Sequence, residues 1–93
     1  LKLLGKAFAK DWSKFGIRVN SIGPGYIKTE MTSKRFANKK NRLERQNKTL
    51  LGRWGETDDL IGPCIFLASD ASSYMTGQDL YIDGGWIINS GIS

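Results

Sequence analysis

The sequence predicts an α/β fold, and three features carry that prediction. An amphipathic helix is expected at Leu1–Phe15, a β-rich run follows at Ile17–Ile22, and an alternating polar and apolar run lies at Gln78–Asp83. Helical patterns lie in the segment between the two β runs. Because two short strands do not form a stable sheet by themselves, we expect each to pair with strands outside this chain.

The first helix is predicted from apolar side chains that recur three or four residues apart, at Leu1, Leu4, Phe8, Trp12 and Phe15. The pattern is already in phase at Leu1 with no capping residue before it, so we expect the chain to begin inside a helix. Gly16 adopts the left-handed conformation readily and is predicted to end this helix.

The segment 26–55 carries weaker patterns. Thr29 or Thr32 is a candidate cap for a short helix, and the apolar spacing indicates another helix at about residues 41–51. A later helix is predicted to begin at Thr57, which has a capping hydroxyl and precedes two acidic residues. Pro63 lies beyond its first turn and has no N–H, which predicts a bend or a later start.

Composition excludes several classes of function. The chain has 93 residues and a mass of 10.4 kDa, enough for one small domain. The sequence contains no His and a single cysteine, Cys64, which excludes a disulfide framework, the usual zinc sites and His-dependent catalytic triads. Cys64 lies on an apolar helix stripe and is expected to be a small buried hydrophobic residue. With no apolar stretch near 18 residues and no signal peptide pattern, we expect no membrane span and a cytoplasmic location.

The net charge of +5 is concentrated in one stretch. The segment 34–53 contains one acid, Glu44, and eight basic residues: Lys34, Arg35, Lys39, Lys40, Arg42, Arg45, Lys48 and Arg53. These give +7 for the stretch and leave −2 for the remainder. A solvated helix face is favoured over a phosphate or nucleic-acid surface, because aromatic residues do not interleave with the charges. We therefore expect no nucleic-acid partner.

The segment Ile17–Met31, which reads IRVNSIGPGYIKTEM, resembles the strand and loop block of the short-chain dehydrogenase/reductase family. Four later segments resemble the family's closing helix and last strand in the same order: Gly52–Glu56, Phe66–Asp70, Ser73–Gln78 and Ile82–Gly85. The resemblance implies a Rossmann-type doubly wound parallel sheet, of which residues 1–93 form the C-terminal third of a single domain, incomplete in this chain. Arg53–Gly55, Asp59–Pro63 and Asp83–Trp86 are similar to the sugar-acid branch of the family, which includes gluconate dehydrogenases.

The loop Gly23–Gly25 directly follows the first predicted strand, at the edge where open α/β sheets bind their ligands. Two glycines permit close backbone approach to a flat ring, and backbone groups at Tyr26 and Ile27 are candidates for pairing with a carboxamide. The resemblance implies NAD or NADP as cofactor, with Pro24, Gly25 and Ile27 lining the nicotinamide. It also implies that the Thr29 hydroxyl bonds to the carboxamide or the pyrophosphate.

The resemblance further implies a mobile substrate lid after Thr29, an anionic small-molecule substrate attracted by the basic stretch, and a homotetramer with the last strand at a subunit interface. Trp54 and Trp86 are candidates either for bounding a substrate pocket or for packing, and packing is favoured. Asp83 is interpreted as a turn former before two glycines rather than as an acid catalyst.

The family's catalytic Ser, its Tyr-x-x-x-Lys pair and its N-terminal glycine-rich loop do not occur in this chain, and the family register places the Lys three residues before Leu1. We expect no catalytic residue here, since the Tyr acts as general acid/base in this family. Three hypotheses remain open. The leading one is a fragment of an oxidoreductase for a sugar-acid ketone and its secondary alcohol; the others are a fragment of a 3-oxoacyl-carrier-protein reductase and a non-catalytic interaction module.

Overall fold

The computed structural model describes residues 2–89. Five helices, two 3-10 turns and four short strands follow one another in these residues: α1 Lys2–Trp12, a 3-10 turn Ser13–Phe15, β1 Ser21–Pro24, β2 Ile27–Lys28, α2 Ser33–Ala37, α3 Lys39–Asn47, β3 Gly55–Glu56, α4 Asp58–Ala68, a 3-10 turn Asp70–Ser72, β4 Asp79–Ile82 and α5 Trp86–Asn89. The alternation of helices and strands confirms the α/β prediction.

Strands β1 and β4 form a parallel pair in which Ser21 lies opposite Asp79 and Pro24 opposite Ile82. The two strands pair with each other, which the sequence did not predict, and the expectation that each also pairs with strands outside this chain stays a prediction. A parallel pair needs a long connection with a helix in it, and the segment 25–78 supplies one.

The first strand begins later than the predicted Ile17–Ile22. Val19 and Asn20 bond instead to the turn before β4: the Val19 N–H donates to Thr76 Oγ1 at 3.0 Å, and Asn20 Nδ2 donates to the Met75 carbonyl at 3.0 Å. These side-chain bonds and one backbone bond, from the Gly77 N–H to the Val19 carbonyl at 2.7 Å, take the place of a regular ladder until Ser21.

A second parallel pair joins β2 to β3, with Ile27 opposite Gly55. The Gly55 N–H also donates to the Tyr26 carbonyl at 2.8 Å. The sequence did not predict these strands, because two residues each are too few for an alternating pattern to be visible.

Helix α1 and its 3-10 extension end at Gly16, which has a φ of +74° and confirms the predicted left-handed stop. The predicted start at Leu1 lies outside the described residues. In α1 the rings of Phe8 and Trp12 stack with their centroids 4.5 Å apart, as expected for side chains four residues apart on one helix face.

Of the two middle helices, α3 is shorter and begins earlier than the predicted 41–51, whereas α2 begins after one of the two predicted caps. Helix α2 follows Thr32, but the Thr32 side chain does not cap it: Oγ1 donates back to the Ile27 carbonyl at 2.7 Å. Helix α3 is capped by Asn38, whose side chain accepts from the Asn41 N–H at 3.1 Å.

Helix α4 follows Thr57 as predicted, but the Thr57 side chain makes no capping bond. Asp59 Oδ2 accepts from the Glu56 N–H at 2.7 Å and serves the chain just before the helix instead. The helix runs through Pro63, so the expected later start was wrong.

Helix α4 also presents an apolar surface to solvent. Ile61 and Ile65 are 52% and 63% exposed, and Cys64 is exposed beside them. The expectation that Cys64 is buried was therefore wrong, because no other described element covers this face of the helix. No helix among residues 2–89 is long and apolar enough to cross a membrane.

The Arg18 guanidinium joins the end of α4 to the turn before β4. Nη1 donates to the carbonyl and hydroxyl of Ser72 at 2.7 and 3.0 Å, and Nη2 donates to the Ser69 carbonyl at 3.2 Å. Further bonds reach the carbonyls of Leu67 and Met75. Carbonyls at a helix end lack helical partners and carry partial negative charge, so a cation there is favourable.

We expect Arg18→Leu to lower the free energy of unfolding by about 3 kcal/mol, because the part-buried carbonyls lose a charged donor. Ser72→Ala, which removes one of these acceptors and keeps the guanidinium, should cost about 1 kcal/mol. Urea denaturation measures both. Equal effects of the two variants would contradict the role given to Arg18.

Candidate functional site

The candidate site lies where β1 and β4 end, because parallel strands present their carboxyl ends at one edge. There the Gly25 N–H donates to the Ile82 carbonyl at 3.1 Å. A Cβ at Gly25 would lie 2.7 Å from the Cβ and 2.8 Å from the Cα of Asp83. Only glycine fits this approach, so it fixes the path of the loop that leaves β1.

The loop forms one wall of a small cavity of about 180 Å³, lined by Pro24, Gly25, Tyr26 and Trp86. Pro24 is exposed and Gly25 is half-buried. Two of the predicted nicotinamide contacts therefore lie together beside an aromatic wall. This cavity has the flat, mostly apolar lining that suits a planar ring.

Tyr26 is the centre of an aromatic cluster. Its ring centroid lies 5.6 Å from that of Trp54 and 6.0 Å from that of Trp86, the latter edge to face. Phe36 meets Trp54 edge to face at 5.3 Å. Trp54 is 6% exposed and its Nε1 donates to the Arg42 carbonyl at 3.0 Å, so this ring is a packing residue, as favoured from the sequence. Trp86 does line the cavity.

Ile27 and Thr29 lie away from that cavity. Ile27 is 8% exposed, and a Cβ at Gly55 would lie 2.6 Å from its Cδ1, so the side chain packs against β3. The Thr29 hydroxyl lies 3.3 Å from Thr32 Oγ1, and the Thr29 N–H donates to that oxygen at 2.8 Å. The structure brings Pro24 and Gly25 together but places Ile27 and Thr29 in a separate hydrogen-bonded turn.

Of the backbone groups at Tyr26 and Ile27 that were expected to meet a carboxamide, the two carbonyls accept hydrogen bonds within the protein. The Tyr26 carbonyl accepts from the Gly55 N–H, and the Ile27 carbonyl accepts from the Thr32 hydroxyl. Both bonds arise from β2 and the turn after it, which the sequence did not reveal.

A second cavity of about 180 Å³ lies behind Tyr26 and Ile27 and is lined in part by Arg53 and Asp59. These two side chains form an ion pair at 3.0 Å. Hydrogen bonds from Arg53 and from the Glu56 N–H lower the pKa of Asp59, and the bond to Asp59 raises the pKa of Arg53. The stabilisation that Asp59 contributes is complete above its unfolded pKa and is lost as the pH falls through its lower folded pKa.

Asp83 has the structural role predicted for it. Its Oδ1 accepts from the Gly85 N–H at 2.9 Å and its Oδ2 from the Ile87 N–H at 3.1 Å, which caps α5. Gly84 and Gly85 have φ values of +63° and +87° and turn the chain after β4. The turn sets Trp86 against Tyr26.

The basic stretch divides into two sets. Six of its residues are exposed, as expected for a solvated face: Lys34, Arg35, Lys39, Lys40, Lys48 and Arg53. Arg42 and Arg45 are half-buried and lie over aromatic rings, with Cζ 5.4 Å from the Phe36 centroid and 5.3 Å from the Tyr26 centroid. Sequence reasoning treated all eight alike and did not predict that Arg45 stacks on an aromatic ring. Its spacing of three from Arg42, on one helix face, was the available signal.

No group of three or more His, Cys, Asp or Glu side chains that could hold a metal ion occurs in residues 2–89. Arg45 and Trp86 bring nitrogen donors to the ring of Tyr26, and the carboxylates of Asp59 and Asp83 line the second cavity beside it.

Comparison with known proteins agrees with this geometry. A family model described as enoyl-(acyl carrier protein) reductase matches residues 1–87. The chain is 44% identical over 84 residues to 2-dehydro-3-deoxy-D-gluconate 5-dehydrogenase of Bacillus subtilis, covering 90% of this chain and 33% of that protein. It is 41% identical over 85 residues to gluconate 5-dehydrogenase of Gluconobacter oxydans, covering 91% of this chain and 33% of that protein.

Solved structures give the same result. A gluconate 5-dehydrogenase from Burkholderia cenocepacia in complex with NADP and tartrate superposes with a TM-score of 0.89 at 38% identity, over 94% of this chain and 34% of that chain. A 4-hydroxyisoleucine dehydrogenase complexed with NADH gives a TM-score of 0.90 at 38% identity, over 94% of this chain and 36% of that chain.

The parallel pairing, the glycine loop at its carboxyl edge and these matches define part of a Rossmann-type dehydrogenase fold. The chain belongs to the short-chain dehydrogenase/reductase family, and its relatives include the sugar-acid dehydrogenases that the sequence resembles. It spans about a third of the length of the relatives it matches.

We expect Gly25→Ala to lower the free energy of unfolding by about 2 kcal/mol, because the new methyl group would overlap the backbone of Asp83. Gly52→Ala is the matched control: its φ is +72° but nothing lies within 4 Å, so it should cost only the backbone strain of about 1 kcal/mol. Urea denaturation gives both values. A smaller cost at Gly25 than at Gly52 would show that the loop can move away from β4.

Proposed function

We propose that residues 1–93 are the C-terminal part of a nicotinamide-dependent oxidoreductase that interconverts a ketone and a secondary alcohol on a sugar acid. The observation that carries the proposal is the cavity at the carboxyl edge of the β1–β4 pair, which is lined by Pro24, Gly25, Tyr26 and Trp86. The proposed substrate class is supported by the names of the relatives, several of which act on gluconate derivatives.

In this proposal NAD or NADP places its nicotinamide against Pro24 and Gly25. The fit rests on the flat apolar wall and on the glycine, which brings the loop backbone within contact of Asp83 and leaves Pro24 exposed at the rim. When bound, the cofactor supplies the hydride chemistry. This chain contributes the surface that orients the ring and keeps water from one side of it.

In this proposal Ile27 and Thr29 lie further from the nicotinamide ring than Pro24 and Gly25 do. Ile27 packs against Gly55 of β3, and Tyr26, the residue before it, packs on Trp54. The Thr29 hydroxyl, which sits beside Thr32, turns to the cofactor carboxamide or pyrophosphate in the same proposal. The proton donor, a Tyr assisted by a Lys, belongs to the preceding part of the parent protein, as do most residues of the remaining fold.

The parent is proposed to be a homotetramer. A 3-oxoacyl group on a carrier protein is the alternative substrate. It is tested as well because the matching family model is described as enoyl-(acyl carrier protein) reductase. Sugar acids are preferred because several relatives are named for gluconate derivatives and because the cavity has an aromatic wall, in which Tyr26 carries one cationic side chain, Arg45, on its ring.

We expect the parent protein to reduce 5-ketogluconate with NADH or NADPH, and the isolated 93-residue chain to show no turnover, since it lacks a proton donor. Absorbance at the nicotinamide band measures both reactions, with an acetoacetyl carrier substrate as comparison. Turnover by the isolated chain, or a parent active only on the acyl substrate, would contradict the proposal.

We expect Thr29→Ala in the parent to raise the KM for the cofactor about five-fold, which corresponds to a lost polar contact of about 1 kcal/mol. Thr57→Ala is the control, because Thr57 is exposed and its side chain makes no capping bond. Steady-state kinetics with varied cofactor give both constants. An unchanged cofactor KM in Thr29→Ala would remove Thr29 from the cofactor site.

A further inference from the structure

Tyr26 lines both cavities of the candidate site. It belongs to the wall of the first cavity beside Pro24 and Gly25, and to the wall of the second beside Arg53 and Asp59. Each cavity has a volume of about 180 Å³. Among the described residues that line these two cavities, Tyr26 is the one they share. A ligand in either cavity therefore meets this residue.

The ring of Tyr26 is held in place by three neighbours. Its centroid lies 5.6 Å from that of Trp54 and 6.0 Å from that of Trp86, and the Cζ of Arg45 lies 5.3 Å from it. Trp54 is buried, and the contact with Arg45 has the geometry of a cation over an aromatic face. The ring is therefore fixed before a ligand arrives, which lowers the entropy cost of binding.

The hydroxyl of Tyr26 is unpaired and accessible. It makes no hydrogen bond within residues 2–89. The buried side-chain atoms that lack a partner in the same residues are Arg45 Nε and Trp86 Nε1, and the Tyr26 hydroxyl is not one of them. Because Tyr26 is half-buried, its unpaired hydroxyl remains in contact with solvent. A phenol can donate one hydrogen bond and accept others.

The other described residues that line the first cavity offer no comparable group. Pro24 and Gly25 have no polar side-chain atom, and Trp86 Nε1 is buried. A polar ligand in this cavity therefore has the Tyr26 hydroxyl as its side-chain partner.

The charged side chains of the second cavity are already engaged. Arg53 and Asp59 form an ion pair, and the two oxygens of Asp83 accept from the N–H groups of Gly85 and Ile87. The group that Tyr26 adds between the cavities is a neutral hydroxyl, which suits the hydroxyl groups of a polyhydroxy compound.

We propose that Tyr26 is a specificity-determining residue whose hydroxyl bonds to a hydroxyl group of the substrate and so favours polyhydroxy ketones over ketones without hydroxyl groups. The inference rests on the proposed function, because it requires the nicotinamide to lie against Pro24 and Gly25 and the substrate to lie beside it. A site that bonds to a substrate hydroxyl discriminates against an analogue that lacks it. Tyr26 takes no part in hydride or proton transfer.

The test compares 5-ketogluconate with levulinate, a ketone that has a carboxylate but no hydroxyl group, in the full-length parent. Tyr26→Phe, which removes only the hydroxyl, is expected to lower kcat/KM for 5-ketogluconate about three- to ten-fold, the range for a lost neutral hydrogen bond. It should change kcat/KM for levulinate and the KM for NADPH less than about two-fold, because neither contact involves the hydroxyl.

The matched control is Tyr74→Phe, the same substitution at a fully exposed tyrosine, which should change kcat/KM for either ketone less than about two-fold. Calorimetric binding of gluconate with NADPH, and of levulinate with NADP, gives a second readout, because neither complex can react. Tyr26→Phe should weaken binding of gluconate and not of levulinate. This readout decides the question if levulinate is reduced too slowly to measure.

Three results would overturn the inference. Equal losses on the two ketones would make Tyr26 a packing residue. Unchanged kcat/KM for 5-ketogluconate together with unchanged gluconate affinity would show that the hydroxyl does not contact the substrate. A rise in the KM for NADPH alone would assign the hydroxyl to the cofactor. Failure of wild type to act on either ketone while it reduces the acyl substrate would instead refute the proposed function.

Discussion

The structure depends on one guanidinium group, that of Arg18, which donates hydrogen bonds to backbone carbonyl groups. Arg18 lies just before β1, yet its guanidinium bonds to the end of α4 and to the turn that leads into β4. The two strands come from opposite ends of the chain, and a parallel pair cannot be closed by a tight turn. Arg18 therefore holds the beginnings of the two strands together, as a tight turn does for the strands of an antiparallel hairpin. With Val19 and Asn20 bonded to the same turn, the register of Ser21 opposite Asp79 follows directly.

The same register determines the position of the candidate site, because it leaves no room for a side chain at one position of the loop. Once Pro24 lies opposite Ile82, the next residue runs so close to Asp83 that a Cβ has no room. Asp83 in turn caps α5, and the cap sets Trp86 on the ring of Tyr26. The strand pairing, the close approach of Gly25 to Asp83 and the Asp83 cap thus connect the sheet to the aromatic wall. The site is part of the fold rather than an addition to it.

The sequence predicted the elements that local chemistry determines. Gly16 ended the first helix, α4 followed Thr57, and Asp83 formed the turn, because each of these depends on neighbouring residues. It failed where distant residues compete for one group. Thr32 is a residue type that often caps helices, but its hydroxyl donates to the Ile27 carbonyl instead. The site divided in the same way: Pro24 and Gly25 line the cavity, whereas Ile27 and Thr29 are drawn into the β2 turn.

The basic stretch shows most clearly what composition leaves undetermined. Arg35 and Arg45 contribute the same charge to the sum, yet one is solvated and the other is stacked on Tyr26 without an acceptor. The difference is created by Tyr26, which immediately precedes β2 and contacts Arg45 of α3, and by the cap that brings Trp86 to the same ring. A long-range electrostatic role requires only the sum of charges, and water and salt weaken it. A fixed place in the packing instead requires a particular neighbour, and in this chain the ring of Tyr26 gives Arg45 that neighbour.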